Sequence, residues 1–264
     1  MQMNDQAIIS IKNLSKSYGK NDVLKGLNID ILPGQIIGYI GPNGAGKSTT
    51  VKILCGLITE FSGDINILGM NIQEESLSIK RRIGYIPENA AIYDTLTPFE
   101  YLNFVGELQG MESQDIKQKT EKLLTLFEMW KYANQRMDSF SKGMKQKILI
   151  ISGLLHNPDI IFMDEPLSGL DANSVIIVKE ILIHLAKEGK TIFYSSHIMD
   201  VVEKISNRII LINEGVVIAD GSFEELNKKA QTGSLETLFT QLTGTSGHSQ
   251  KAEDIINVFE NKNQ

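Results

Sequence analysis

Apolar and polar residues alternate through AIISIKNLSKSYG (7–19), the period-two pattern of a half-buried strand. VLKGLNIDILPGQIIGYI then gives two apolar runs, split by the turn Leu32-Pro33-Gly34-Gln35. The second run, Gln35 to Ile40, is a short strand that feeds directly into glycine-rich GPNGAGKST. From Lys47 to Leu57 the spacing becomes helical, with Val51, Leu54, Cys55 and Ile58 on one face.

The stretch from about Thr97 to Asn157 reads as helices. Thr97-Pro98-Phe99-Glu100 is a helix start, with Thr as N-cap, Pro at the first position and Glu at the third. Helical spacing continues through FVGELQ and IKQKTEKLLTLFEMW, and a third helix is expected from after Ser141 to Leu155. Strand and helix then alternate: strand 159–163, helix 173–188, strand 191–196, a helix from His197 and strand 208–213. That order predicts a largely parallel sheet. Asn213-Glu214-Gly215 predicts a hairpin to VVIAD, and SFEELNKKA and SLETLFTQL predict two closing helices. The polar residues after about Gly244 are expected to be loosely attached.

Composition narrows the function. The chain has 264 residues, 42% hydrophobic, with net charge −6 and a pI near 5.3. An acidic total argues against a nucleic-acid partner, although Lys142 to Lys147 (KGMKQK) is locally basic. Cys55 is the single cysteine, so no intrachain disulfide forms, which suits a reducing cytosol. The first ten residues lack the basic and apolar regions of a signal peptide. The most apolar stretch, ILIISGLL (148–155), is far short of the ~20 residues that span a bilayer. The expectation is a soluble chain; for any membrane process, a different polypeptide must cross the membrane.

Two motifs carry chemistry. GPNGAGKS (41–48) fits the phosphate-binding pattern G-x-x-x-x-G-K-[ST] and sits between a strand and a helix, the context that the pattern requires. Its glycines let backbone N–H groups turn inward around phosphate, and the helix start adds its dipole. Lys47 is expected to reach the β- and γ-phosphates, and Ser48 to place its hydroxyl on Mg²⁺. IIFMDEP (160–166) ends a buried strand with two carboxylates. Asp164 would hold Mg²⁺ and Glu165 would orient and deprotonate the attacking water, the strand's alternation turning the two side chains different ways.

With these residues in order, the chain resembles the nucleotide-binding domain of ABC transporters over roughly residues 7–243. FSKGMKQK (140–147) resembles the family's LSGGQ signature, SGLD (168–171) its D-loop and SSH (195–197) its switch histidine, while Tyr18 stands where an aromatic underlies adenine. The resemblance implies an α/β fold: a P-loop NTPase core with a mostly parallel sheet, an N-terminal antiparallel β subdomain and an inserted α-helical subdomain. It divides the chain into a single domain, 1–243, with core 1–96 and 157–222, helical subdomain 97–156 and C-terminal helices 223–243, followed by a tail, 244–264. It implies ATP and Mg²⁺ as cofactors. The nucleotide would be held by Tyr18, by Gly41, Pro42, Asn43, Gly44, Ala45, Gly46, Lys47, Ser48 and Thr49, and by Ser141, Lys142, Gly143 and Met144 from a partner subunit. Ser48, Glu88 and Asp164 would serve the metal, and Glu165 and His197 catalysis. Taken without the other motifs, Ser141 reads as a plain cap of its own helix, and Lys142, Lys145 and Lys147 either approach the phosphate or lie on an exposed flank.

Two departures stand out. Glu88, in IGYIPEN, replaces the family's usual Gln and adds a charge near Asp164 and Glu165. Lys142 and Met144 replace Gly and Gln, and Met144 offers no hydrogen bond for the usual ribose contact. GYIPENAAIYDTLTPFEYLNFVGELQGM, LLHNPDIIFMDEPLSGLDANS and SLETLFTQLTG resemble the ABC-2 and multidrug-exporter branch. The implied protein is a peripheral ATPase subunit on the cytoplasmic face of the membrane. It would pair with itself or a paralogous ATPase subunit and drive a transmembrane permease subunit; the hinge at residues 89–96 would receive a short helix of that permease. The alternative is a soluble ABC-type ATPase with no part in transport.

Overall fold

The computed structural model describes residues 6–88, 92–230 and 233–244. The opening alternation forms β1 (Ile9–Tyr18) and β2 (Asn21–Ile31), an antiparallel hairpin with Tyr18 opposite Asn21. β3 (Ile36–Ile40) starts a second sheet and leads through the glycine-rich loop into α1 (Lys47–Leu54). β4 (Ser62–Ile67) returns to pair antiparallel with β1, and β5 (Met70–Asn71) extends that sheet to the order β2-β1-β4-β5. After α2 (Ser76–Lys80) and β6 (Ile83–Ile86) come the helices α3 (Pro98–Leu108), α4 (Ser113–Leu126) and α5 (Lys142–Leu154), which pack on one another.

The chain then runs β7 (Ile160–Asp164), α6 (Ala172–Lys187), β8 (Thr191–Ser195), α7 (Met199–Ile205), β9 (Arg208–Asn213), β10 (Val216–Gly221), α8 (Phe223–Ala230) and α9 (Leu235–Thr243). The second sheet has the order β10-β9-β3-β8-β7-β6. Every pairing in it is parallel except β10 with β9, so the expected α/β class with a mostly parallel sheet holds.

Alternation along these strands sorts side chains into two cores. Ile36, Ile40, Ile161, Met163, Ile192, Tyr194, Ile209 and Leu211 face a core shared with α3 to α7 and the closing helices. Ile37, Tyr39, Ile160, Phe162, Phe193, Ile210 and Ile212 face α1 and the antiparallel sheet. Both faces are buried, which is why these strands read as continuous apolar runs.

Local differences have local causes. α1 stops at Leu54 rather than Leu57, because Gly56 takes φ 64°, in the left-handed region. The helix expected from His197 starts at Met199. β4, β5, α2 and β6 went unread: each is only two to six residues long, too short for periodicity to register. No described helix is long and apolar enough to cross a membrane.

Candidate nucleotide site

The site lies at the carboxyl ends of the parallel strands, where open α/β sheets bind ligands. Tyr39 of β3 is level with Ser195 of β8, Asp164 of β7 with the same Ser195, and Ile86 of β6 with Met163. The loops beginning at Gly41, Pro87, Glu165 and Ser196 therefore leave the sheet side by side.

The glycines of the first loop answer to packing as well as to phosphate. A Cβ on Gly41 would collide with the carbonyl oxygen of Ile212, and one on Gly46 would lie 2.5 Å from Leu24 Cδ2. Gly44 has open space but φ 81°. Gly46 caps α1 without a side chain, so nothing of its own competes for the first N–H groups of the helix. Asn43 at the loop tip is exposed, Pro42, Ser48 and Thr49 are half-buried, and Ala45 is buried.

Lys47 is buried and folds back: its Nζ donates to the carbonyl oxygens of Gly41 at 2.7 Å and Pro42 at 3.1 Å. Burial lowers its pKa, opposed in order by the carboxylates of Glu165, Asp164 and Glu88. Two strand ends, those of β6 and β7, thus bring three carboxylates toward one ammonium. Asp164 is 4% exposed, and its Oδ1 has no hydrogen-bond partner among the described residues. Such an orphan oxygen is expensive to bury unless something occupies it.

Glu165 lies one residue beyond β7, at φ 49°. Its aim comes from this left-handed backbone, not from the strand alternation expected from sequence. Its Oε2 meets His197 Nδ1 at 2.7 Å and accepts from Ser196 Oγ at 3.3 Å. Strained backbone of this kind gathers at functional sites. His197 itself is two-thirds exposed, so the pair opens to solvent on the histidine side.

The signature residues start α5. Ser141 caps its own helix by accepting from Met144 N at 3.2 Å, and Gly143 packs so tightly on Gly169 that a Cβ would strike the Gly169 carbonyl. The three lysines are tied within the chain: Lys142 donates to Ser168 Oγ at 2.8 Å, Lys145 pairs with Asp94 at 3.3 Å and Lys147 with Asp171 at 3.6 Å. Sequence reasoning missed Gln146, which is 2% exposed and donates to the Pro166 carbonyl at 3.0 Å, and Ser196. A polar residue on the helix's buried face was the available signal for Gln146. Tyr18 is half exposed at the end of the β1–β2 hairpin.

These residues fit a magnesium nucleotide. The loop and helix start supply N–H groups, Lys47 a cation, and Ser48 and the orphan Asp164 oxygen ligands for a hard metal. Among the described residues no three His, Cys, Asp or Glu side chains form a cage, and Mg²⁺ usually takes one or two carboxylates together with phosphate and water.

Strand-end loop, paired acids and a helical insertion together define a P-loop nucleotide-binding cassette. The family model described as "ABC transporter" matches residues 24–168. The linearmycin resistance ATP-binding protein LnrL of Bacillus subtilis is 36% identical over 219 residues, covering 83% of this chain and 70% of that protein. Among solved structures, an ATP-binding subunit of an ABC transporter superposes with TM-score 0.84 at 30% identity, covering 89% of this chain and 99% of that one. The cassette MJ0796, a dimer bound to ADP and Pi in a post-hydrolysis state, gives TM-score 0.76 at 26% identity, covering 81% and 98%. The chain belongs to the ABC transporter family, as one of its ATP-binding domains.

Proposed function

We propose that this chain hydrolyses ATP as the peripheral, cytoplasmic subunit of an exporter, dimerising around two ATP molecules. The observation that carries the reading is the convergence of Glu88, Asp164 and Glu165 on Lys47, with Glu165 paired to His197. In this reading Lys47 leaves the carbonyls of Gly41 and Pro42 and gives its donors to the β- and γ-phosphate oxygens. Ser48, Asp164 and Glu88 would hold Mg²⁺, which would offset the phosphate charge. Glu165 orients a water toward the γ-phosphorus and takes its proton, while His197 steadies the water and the γ-phosphate. Tyr18 stacks the base. Ser141, Lys142, Gly143 and Met144 close over the nucleotide of a second copy or a paralogous subunit. The division into core 1–96 and 157–222, helical part 97–156, closing helices 223–243 and tail 244–264 belongs to the same proposal.

The exporter reading draws support from the resistance relative and from a groove of about 330 Å³ between the end of α1, β6 and α3. Leu57, Tyr85, Tyr101 and Val105 line it beside the polar Lys80, Gln109 and His156, walls that suit a short amphipathic helix from a transmembrane subunit. Of the hinge expected to receive that helix, Asn89, Ala90 and Ala91 lie outside the described residues, and Ile92 and Leu96 pack on the large core. Tyr93 is exposed and meets Phe104 edge-on at 5.9 Å.

Glu165→Gln tests the chemistry. It keeps the shape and loses the base, and is predicted to slow hydrolysis by roughly 10²–10⁴ with ATP affinity intact. Wild-type turnover by this variant removes Glu165 from the role.

A further inference from the structure

Lysine is rarely buried without a partner. Among the described residues two lysines are less than a tenth exposed, Lys47 and Lys16. Lys47 has carbonyls and carboxylates around it. Lys16 is held differently. Its Nζ is 3.9 Å from Oε2 of Glu60, a residue 94% exposed, and such a pair binds weakly. The same Nζ lies 4.9 Å from the centroid of the Tyr18 ring, inside cation–π range.

Tyr18 needs such a contact. It is the last residue of β1, followed by Gly19 at φ 61°, and it belongs to neither core cluster. A half-exposed ring at a hairpin end has little packing to fix its side-chain torsions. Lys16 stands two residues earlier, on the same side of the strand, and the extra residue at the register shift between Lys16 and Ser17 falls on β2, opposite them. Its stem is buried, so its ammonium is a fixed point rather than a swinging one.

We propose that Lys16 is a positioning residue for nucleotide-base recognition: the ammonium covers one face of Tyr18 and holds the ring with its other face open to the base. The inference rests on the reading of Tyr18 as the base platform and adds what makes it a platform. Orienting the ring beforehand removes the entropy that base binding would otherwise lose.

The test uses the full chain with Lys16→Met, Lys16→Arg, Tyr18→Ala and the Lys16→Met/Tyr18→Ala pair. Affinities are measured for ATP and for inorganic tripolyphosphate, which has no base, alongside kcat. Lys16→Met is expected to weaken ATP about three- to tenfold, leaving tripolyphosphate affinity and kcat unchanged. Lys16→Arg keeps a cation over the ring and stays within about twofold of wild type. In the Tyr18→Ala background, Lys16→Met adds nothing further, the coupling expected of two residues acting as one. Equal weakening of ATP and tripolyphosphate overturns the inference, as does the same loss with or without Tyr18. So does an unaltered ATP affinity in Lys16→Met when Tyr18→Ala weakens binding. If Tyr18→Ala itself leaves ATP affinity intact, the platform reading falls first and takes the Lys16 role with it. Lys16→Gln repeats each measurement should the Met variant not fold.

Discussion

Glu165 owes its aim to a backbone that a non-glycine residue adopts only when its surroundings hold it there. Two hydrogen bonds do this. The Glu165 N–H donates to the Ser195 carbonyl at 3.0 Å, and Gln146 fixes the next residue through the Pro166 carbonyl. Gln146→Leu removes the second and leaves a buried carbonyl unsatisfied, a loss of about 1–3 kcal/mol of stability. We predict a fall in kcat of about tenfold with ATP affinity within about twofold, since the P-loop is untouched. Steady-state kinetics beside equilibrium binding checks this. A stability loss with unchanged kcat leaves Gln146 structural only. None of this was legible in the sequence: DEP announces two acids, but not that the second lies beyond its strand in the left-handed region.

At the scale of elements, the starts of α3 and α5 were legible because capping is local, while the Asp171 cap of α6 went unread. Thr97 and Glu100 form the reciprocal pair their spacing announces: Glu100 N donates to Thr97 Oγ1, and Thr97 N to Glu100 Oε2. Asp171 caps α6 by accepting from Ser174 N at 2.9 Å and Ser174 Oγ at 2.6 Å. The Ser174 hydrogen bonds first, and Lys147 after them, hold the Asp171 carboxyl at about 2 instead of the ordinary 3.8. Because the folded value is the lower one, its stabilisation is fully present above about pH 4 and is lost as pH falls toward 2. The melting-temperature gap between wild type and Asp171→Asn, which caps without titrating, should therefore narrow from pH 5 toward pH 2. A gap that stays constant over that range means the cap carries no charge-dependent stability.

For the molecule as a whole, the first two turns of α5 and the loop 166–171 are one unit, joined by Lys142 to Ser168, Gln146 to Pro166 and Lys147 to Asp171. In the proposed dimer this joins what a chain offers its partner's nucleotide to its own Glu165. ATP without free metal is predicted to shift Glu165→Gln from monomer to dimer, and light scattering gives the mass. A mass indifferent to nucleotide contradicts the shared site. The motifs assigned Lys47 to phosphate and the carboxylates to metal and water, but their convergence needed the sheet.

The sequence by itself determined whatever rests on neighbours along the chain: the phosphate loop between strand and helix, the caps at Thr97 and Ser141, the apolar runs of the buried strands, and the family. Only the tertiary structure decided the rest. Gly41 must be glycine because β9, about 170 residues onward, passes behind it at Ile212. Gln146 matters through a carbonyl 20 residues away, and β6 is a strand because β7 pairs with it. Tyr18 and Lys16 are only two residues apart, yet their spacing does not say that the ammonium meets the ring, which it does at 4.9 Å from the centroid. Periodicity and spacing record which face a residue occupies. They carry no record of what folds against that face, because that partner is chosen by long-range packing.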